Sequence, residues 1–257
     1  MPHTGIEIPD ALAGGFVSPW LARRDTDWWV DRLYDFAEML GATVVHTAIS
    51  RSVIDVNRDP LGTSLYPGQV TTELCPTTTF DGEPLYVAER LPDAEAIAWR
   101  LAQYHAPYHA ALSAEITRLR ALHAHVVVYD CHSIRSRISR LFAGELPHIN
   151  IGTHDGASCA PKLSAAVEHV CAASEFSYVL NGRFKGGYIT RHYGRPENGV
   201  HAIQIELACR GYLREPPAPI TDARWPVTFD DAYAAGLRGV LRRILEATQE
   251  FAAKYRR

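Results

Sequence analysis

Apolar positions along the chain switch between a helical period and a strand period, and this alternation predicts an α/β layout. In residues 26–40, Trp29, Leu33, Phe36, Ala37 and Leu40 recur at helical spacing, and Gly41 is the stop. Residues 43–49 (TVVHTAI) are rich in β-branched side chains and predict a strand. Residues 61–92 are rich in Gly, Pro and Thr and predict a long irregular excursion, a feature that in compact domains is often functional. Asp93 is suited to cap a helix running to about His123. Residues 126–129 read as a short apolar strand of the buried kind, 161–173 as a helix, and 178–180 and 202–207 as two more strands. The chain closes with an amphipathic helix over 230–254, with Leu237, Val240, Leu241, Ile244 and Leu245 on its apolar side. No linker or repeat interrupts the pattern, so residues 1–257 are expected to form one domain.

Composition narrows the function. The chain is 47% hydrophobic and 21% charged, ordinary for a globular protein, which excludes disordered and fibrous classes. A formal net charge of -3 argues against a nucleic-acid partner gripped by a large basic face. No apolar run approaches the roughly 18 residues of a membrane span, and the opening MPHTGIEIPD lacks a basic-then-apolar leader. Cysteines stand at 75, 131, 159, 171 and 209, an odd number without a CxxC pair, so reduced thiols in the cytoplasm are expected.

The candidate chemistry sits where predicted strands end, the place where open α/β sheets gather ligands. His3 in PHTG is either a frayed terminal residue or an imidazole turned into a cleft. In Asp25-Thr26-Asp27 either carboxylate could cap the first helix, leaving the other available. Asp130 and His132, two apart, share one strand face as a metal ligand and its orienting carboxylate, or as a polar pair that closes the strand. Cys131 points away from them, which disfavours a Cys–His nucleophile pair. Glu206, beside Gln204 in the apolar run AIQIELA, is expensive to bury unless paired or functional and is suited to act as a general base. Arg51, Asn57 and Arg58 lie in a stretch whose alternation predicts extended backbone. Arg183, Lys185 and Arg191 lie in a glycine-rich segment suited to an anionic small molecule. Two histidines, a carboxylate, a second acidic residue and several arginines are the inventory of a mononuclear zinc hydrolase.

Together, PHTG, DTDWWVDRLYDFA, SRSVIDVNRDP, DCHSIRSRISRLFAGELPHINIGTHDGASC, VLNGRFKGGYITRHYG and IQIELA resemble the N-formylglutamate amidohydrolase family from residue 2 to about 213. The resemblance implies a zinc-carboxypeptidase-like (phosphorylase/hydrolase-like) fold, a three-layer α/β/α sandwich around a mixed sheet. It implies hydrolysis of the dianionic N-formyl-L-glutamate to formate and L-glutamate in histidine degradation. By the same resemblance Zn2+, or another divalent ion such as Co2+, is held by His3, Asp27 and His132, with Glu7 the rival to Asp27. Asp130 then orients His132, and Glu206 is the general base. Arg191 or Arg51 faces the oxyanion, and Arg51, Asn57, Arg58, Arg183 and Lys185 bind substrate. It also implies a strand ahead of PHTG, where two residues stand here, so His3 is expected to be weakly held. Another zinc amidohydrolase or peptidase acting on acidic N-acyl amino acids, and a silent acidic-metabolite-binding protein, are the competing readings. A monomer or small homo-oligomer is expected, without nucleic-acid or membrane partners.

Overall fold

Four apolar runs pair into one mixed sheet in the order β1-β4-β2-β3, with β1 Val126–Ile134, β2 Ile149–Gly152, β3 Tyr178–Leu180 and β4 Val200–Ala208. The structure, a computed structural model, describes residues 1–63, 68 and 70–255. β1 runs parallel to β4, β2 antiparallel to β4, and β3 parallel to β2. The protein is of the α/β class, as its pattern predicts. Both long strands outrun their predicted limits, so Asp130 and His132 lie on β1 itself rather than beyond it. β2 (INIG) went unread because four residues carry too little periodicity.

Alternation along the strands divides the two faces. Cys131, Ile149, Ile151, Ile203, Ile205 and Leu207 pack with the helices Pro161–Ala172 and Asp231–Lys254 into the main core. All five apolar residues assigned to the closing helix are buried there. Each such side chain contributes roughly 1.5–3 kcal/mol on full burial. On the other face Val128 and Ala202 meet Tyr108 and Leu112 of the helix Ala106–Leu122, and Ile189 of the helix Tyr188–Tyr193. Asp93 caps Ala94–Arg100 as expected, its carboxylate accepting from the Ala96 N–H at 2.8 Å.

Three local expectations give way. The helix predicted over 26–40 breaks into Val30–Leu33 and a 3-10 segment Asp35–Leu40. Trp29, tied to the Val227 carbonyl, takes a left-handed φ of 63°, which no helix continues through. Leu33, Phe36 and Ala37 are buried even so, and Gly41 ends the segment at φ 76°. Residues 43–49 form no ladder; among the described residues their one bridge is Glu7–Ile49. An apolar groove lined by Val44, Val45, Val127 and Tyr129 separates them from the outer edge of β1, and a strand needs a partner. Residues 51–58 are a succession of turns rather than extended chain, closed by Val53 N–H to the Ser50 carbonyl and Arg58 N–H to the Asp55 carbonyl. The excursion over 61–92 is largely irregular as predicted; within it residues 64–67 and 69 lie outside the described residues.

Candidate functional site

The polar positions of β1 and β4 fall on one face toward the carboxyl ends of these two parallel strands. His132 stands at the same register as Glu206, and Asp130 at the same register as Gln204. Packing this face with acids and imidazoles is costly unless each charge finds a partner, and each does.

His3 reaches the cluster from the N-terminal segment. It is not frayed: it is 2% exposed. Its carbonyl accepts from the Asp27 N–H at 3.0 Å, and the Met1 ammonium donates to the Val45 carbonyl at 2.8 Å. Glu7 N–H to Ala48 and Ser50 N–H to Glu7 continue the anchoring. A Cβ on Gly5 would lie 2.5 Å from the Ala48 carbonyl carbon, so only glycine lets these two segments approach so closely. The expectation that His3 would be weakly held is therefore corrected. Neither Asp25 nor Asp27 caps a helix. Asp25 accepts from the Phe80 N–H at 2.6 Å, and burial raises its pKa. Asp27 turns inward, where its Oδ2 accepts from the Ser133 N–H at 3.2 Å.

Three donor atoms converge. Nδ1 of His132 lies 3.1 Å from Nδ1 of His3 and 3.1 Å from Oδ2 of Asp27, and Nδ1 of His3 lies 3.6 Å from the same oxygen. His3, Asp27 and His132 thus offer ligand atoms within 4.8 Å of one another, all buried. Carboxylates take the far sides of both rings: His3 Nε2 meets Asp55 at 2.7 Å, and His132 Nε2 meets Asp130 at 3.0 Å. With Nε2 of each ring turned to its carboxylate, and the Asn57 amide also 2.9 Å from His132 Nε2, an ion that displaced the Nδ1 protons would meet two Nδ1 lone pairs and a carboxylate in one space. This donor set fits a divalent transition metal. Glu7, the rival ligand, is exposed, and among the described residues it is engaged through its backbone to Ala48, Ile49 and Ser50.

Electrostatics follow from burial and pairing. Burial pushes the His132 imidazole down, but the Asp130 carboxylate and the hydrogen bonds to Asp130 and Asp27 outweigh it and raise the ring to about 10. For Asp27 and Asp55, burial is overcome chiefly by His3, and both carboxyls fall below their usual range. Glu206 is different: burial, opposed by His132 and reinforced by Asp27, raises it to about 7. Gln204 holds it, donating to Glu206 Oε2 at 3.2 Å while accepting from the Gly187 N–H at 2.7 Å. Cys131 faces the opposite core, and burial pushes its thiol to about 12, which removes it as a nucleophile.

In front of the cluster opens a cavity bounded by Arg51, Arg58, Arg183, Phe80, Phe184 and Glu206. Arg51 pairs with Asp55 at 2.8 Å and Asp27 at 3.3 Å, and lies over the Phe80 ring. Arg58 donates to the Thr72 carbonyl at 3.0 Å, and Arg183 to those of Leu141 and Val70 at 2.9 and 3.1 Å. Asn57 lines the cavity, but its side chain is spent inward: its Oδ1 accepts from the Ile189 N–H at 2.7 Å and its amide donates to Asp130 at 3.3 Å. Two expected residues are not brought here. Lys185 turns outward to Asp155 at 3.0 Å, and Arg191, on the helix Tyr188–Tyr193, donates to the Gly186 carbonyl at 3.0 Å. A helix had not been expected in that glycine-rich segment, and its turn carries Arg191 away from the cavity lining. Asp55 and Gln204 were visible in the sequence without a role; a carboxylate two residues before Asn57 gave no sign that it would meet His3 across 52 positions.

An α/β sheet bearing a buried His–Asp–His cluster and a glutamate on the adjoining strand is the layout of a hydrolase. A family model described as N-formylglutamate amidohydrolase matches residues 1–213. The chain is 46% identical over 248 residues to an N-formylglutamate deformylase of Pseudomonas aeruginosa, covering 96% of this chain and 90% of that one. It is 44% identical over 255 residues to an N-formylglutamate deformylase of Pseudomonas putida, covering 99% and 92%. This chain belongs to the N-formylglutamate amidohydrolase family. Its fold is also that of the crystal structure of an N-formylglutamate amidohydrolase from Ralstonia eutropha JMP134, at a TM-score of 0.76 and 23% identity over 98% of this chain and 91% of that one. A gene product of Agrobacterium tumefaciens shares it at a TM-score of 0.69 and 19% identity, covering 97% and 87%.

Proposed function

We propose that this enzyme hydrolyses the formamide bond of N-formyl-L-glutamate, giving formate and L-glutamate, as a metal-dependent amidohydrolase. The observation that carries the reading is the placement of Glu206 beside His132, with His3 and Asp27 completing the cluster and an arginine-rimmed cavity in front. The substrate is the one named in the relatives that the chain matches over nearly its whole length.

His3, Asp27 and His132 would hold the ion, zinc or cobalt, with Asp55 and Asp130 fixing the imidazoles. Such an ion lowers the pKa of water and polarises a carbonyl oxygen. Glu206, with its pKa raised to about 7, takes the proton of the attacking water and returns it to the departing glutamate nitrogen. Arg51 adds positive charge on the cavity wall where the formyl oxygen becomes anionic. Arg58 and Arg183 face the two carboxylates of the substrate, a role that suits the planar guanidinium fork. An N-formyl amino acid with a neutral side chain leaves one of these cations without its anion, and so binds more weakly. The place we assign to the reaction is histidine degradation, the route in which such a formylated glutamate arises. Five free, buried cysteines suit a reducing compartment such as the cytoplasm. No helix among the described residues is long and apolar enough to cross a membrane.

The test is formate release from N-formyl-L-glutamate, with and without a chelator, alongside N-acetyl-L-glutamate and N-formyl-L-leucine. Chelator-sensitive release that prefers the first substrate supports the reading. Equal turnover of the leucine compound overturns the dianion assignment, and chelator-resistant release overturns the metal.

A further inference from the structure

The turns over residues 51–58 place Asp55 behind His3 and Arg58 on the cavity, yet they belong to no strand or helix. One face of a single helical rod grips three of their carbonyls, beside bonds from the Asp55 N–H to the Leu74 carbonyl at 2.7 Å and from the Tyr86 hydroxyl to the Ser52 carbonyl at 3.1 Å. Arg100 donates to the Val53 carbonyl at 2.9 Å, His109 Nε2 to the Val56 carbonyl at 2.8 Å, and His105 Nε2 to the Arg58 carbonyl at 3.1 Å. Carbonyls only accept, so both imidazoles donate from Nε2. His109 Nδ1 is then an acceptor and takes the Tyr193 hydroxyl at 2.9 Å, which joins the rod to the helix Tyr188–Tyr193. The rings of His105 and His109 pack 4.3 Å apart.

The rod is not a plain α-helix. Between Ala94–Arg100 and Ala106–Leu122 lies a π-turn, Leu101–His105. At 3.6 residues per turn, Arg100 and His105 would point about 140° apart. The i→i+5 winding of a π-turn closes most of that gap, and such turns concentrate at functional sites. Burying the His105 imidazole and the Arg100 guanidinium, with His109 half-buried beside them, would be a poor way merely to pack a helix. All three reach carbonyls that alternate with Asp55 and Asn57, and none of the three lines the cavity.

We infer that Arg100, His105 and His109 form a brace that fixes the 51–58 turns from behind, and that they are positioning residues of the active site, aligned by the π-turn. The inference rests on the function proposed above. The test uses the full chain with His105→Leu, which keeps bulk and removes the donor, and His105→Gln, whose amide nitrogen can stand in for Nε2. We expect His105→Leu to raise KM for N-formyl-L-glutamate roughly tenfold, the scale of a buried carbonyl left unsatisfied, with kcat nearly unchanged. Amide hydrogen exchange should quicken in residues 53–58 while the sheet stays protected, and His105→Gln should restore both. Unchanged KM and exchange, or loss of stability with kcat and KM moving together and no rescue by Gln, overturns the brace. Should His105→Leu not fold, His109→Leu and His109→Gln carry the same readouts through the Val56 carbonyl. Should the wild-type chain release no formate, the proposed function fails, while local exchange and its rescue by Gln still decide whether the turns are braced.

Discussion

His132 and Glu206 sit at one register position on the neighbouring parallel strands β1 and β4, so that the imidazole and the carboxyl rise side by side from the same face of the sheet. Backbone pairing, not a flexible loop, sets their separation. Burial holds the Glu206 carboxyl up at about 7. That is the range in which a general base is half ready to accept and half ready to give. Glu206→Gln keeps the shape and the contact to Gln204 but cannot take a proton. We expect kcat to fall roughly 10²-fold or more with the metal content unchanged. Near-normal turnover in this variant removes Glu206 from the mechanism.

Metal loading is expected to depend on the convergence of His3, Asp27 and His132. His132→Ala removes one of two Nδ1 ligand atoms and takes from Asp130 the imidazole it meets at 3.0 Å. Metal analysis of the purified variant should show a substoichiometric ion. Added zinc should raise the melting temperature of the wild-type apoprotein, by linkage, and not that of the variant. A full equivalent of metal in His132→Ala contradicts the ligand assignment.

The arginines separate by where the structure puts them. Arg58 and Arg183 border the cavity, whereas Lys185 and Arg191 are turned to Asp155 and the Gly186 carbonyl. Arg58→Ala and Arg183→Ala should therefore each raise KM roughly 10- to 100-fold, the scale of a charge-assisted hydrogen bond. Lys185→Ala should leave KM within a few-fold. Steady-state kinetics of the three variants decide it, and a KM for Lys185→Ala as high as that for Arg58→Ala places the carboxylate clamp elsewhere.

How much of this was legible in the sequence depends on whether a feature is local. The closing helix and the cap at Asp93 are written in spacing and cap chemistry, and both stand as expected. Glu206 betrayed itself as an acid in an apolar run, and Asp130 with His132 as a polar pair at alternate positions. Segments whose form depends on a distant partner did not read true. Residues 43–49 have strand composition but face a groove instead of a neighbour. Residues 51–58 alternate like a strand but are pinned as turns by carbonyl acceptors bonded to a helix about fifty positions away. Asp55 falls in that class: its meeting with His3 is a tertiary fact. The bond of Arg191 to the Gly186 carbonyl is another, set by a helix that glycine-rich composition concealed.

Stability should fall on mild acidification through a histidine outside the metal cluster. Burial, with His105 beside it, holds the His109 imidazole down at about 4, against 6.5 for an ordinary histidine. A second proton, on the Nδ1 that faces the Tyr193 hydroxyl at 2.9 Å, would charge a ring that burial keeps neutral. The unfolded chain, by contrast, takes that proton near pH 6.5 and so binds more protons than the native state between pH 6.5 and 4. Stability rises with pH wherever the unfolded state holds more protons. The contribution is complete above pH 6.5 and is lost as the pH falls toward 4, on the order of 3 kcal/mol for this one group. Urea unfolding at a series of pH values should show that decline in the wild-type chain. His109→Gln keeps a donor for the Val56 carbonyl but does not titrate, so its stability should vary less steeply over the same window. An equally steep decline in His109→Gln assigns the acid lability to other groups.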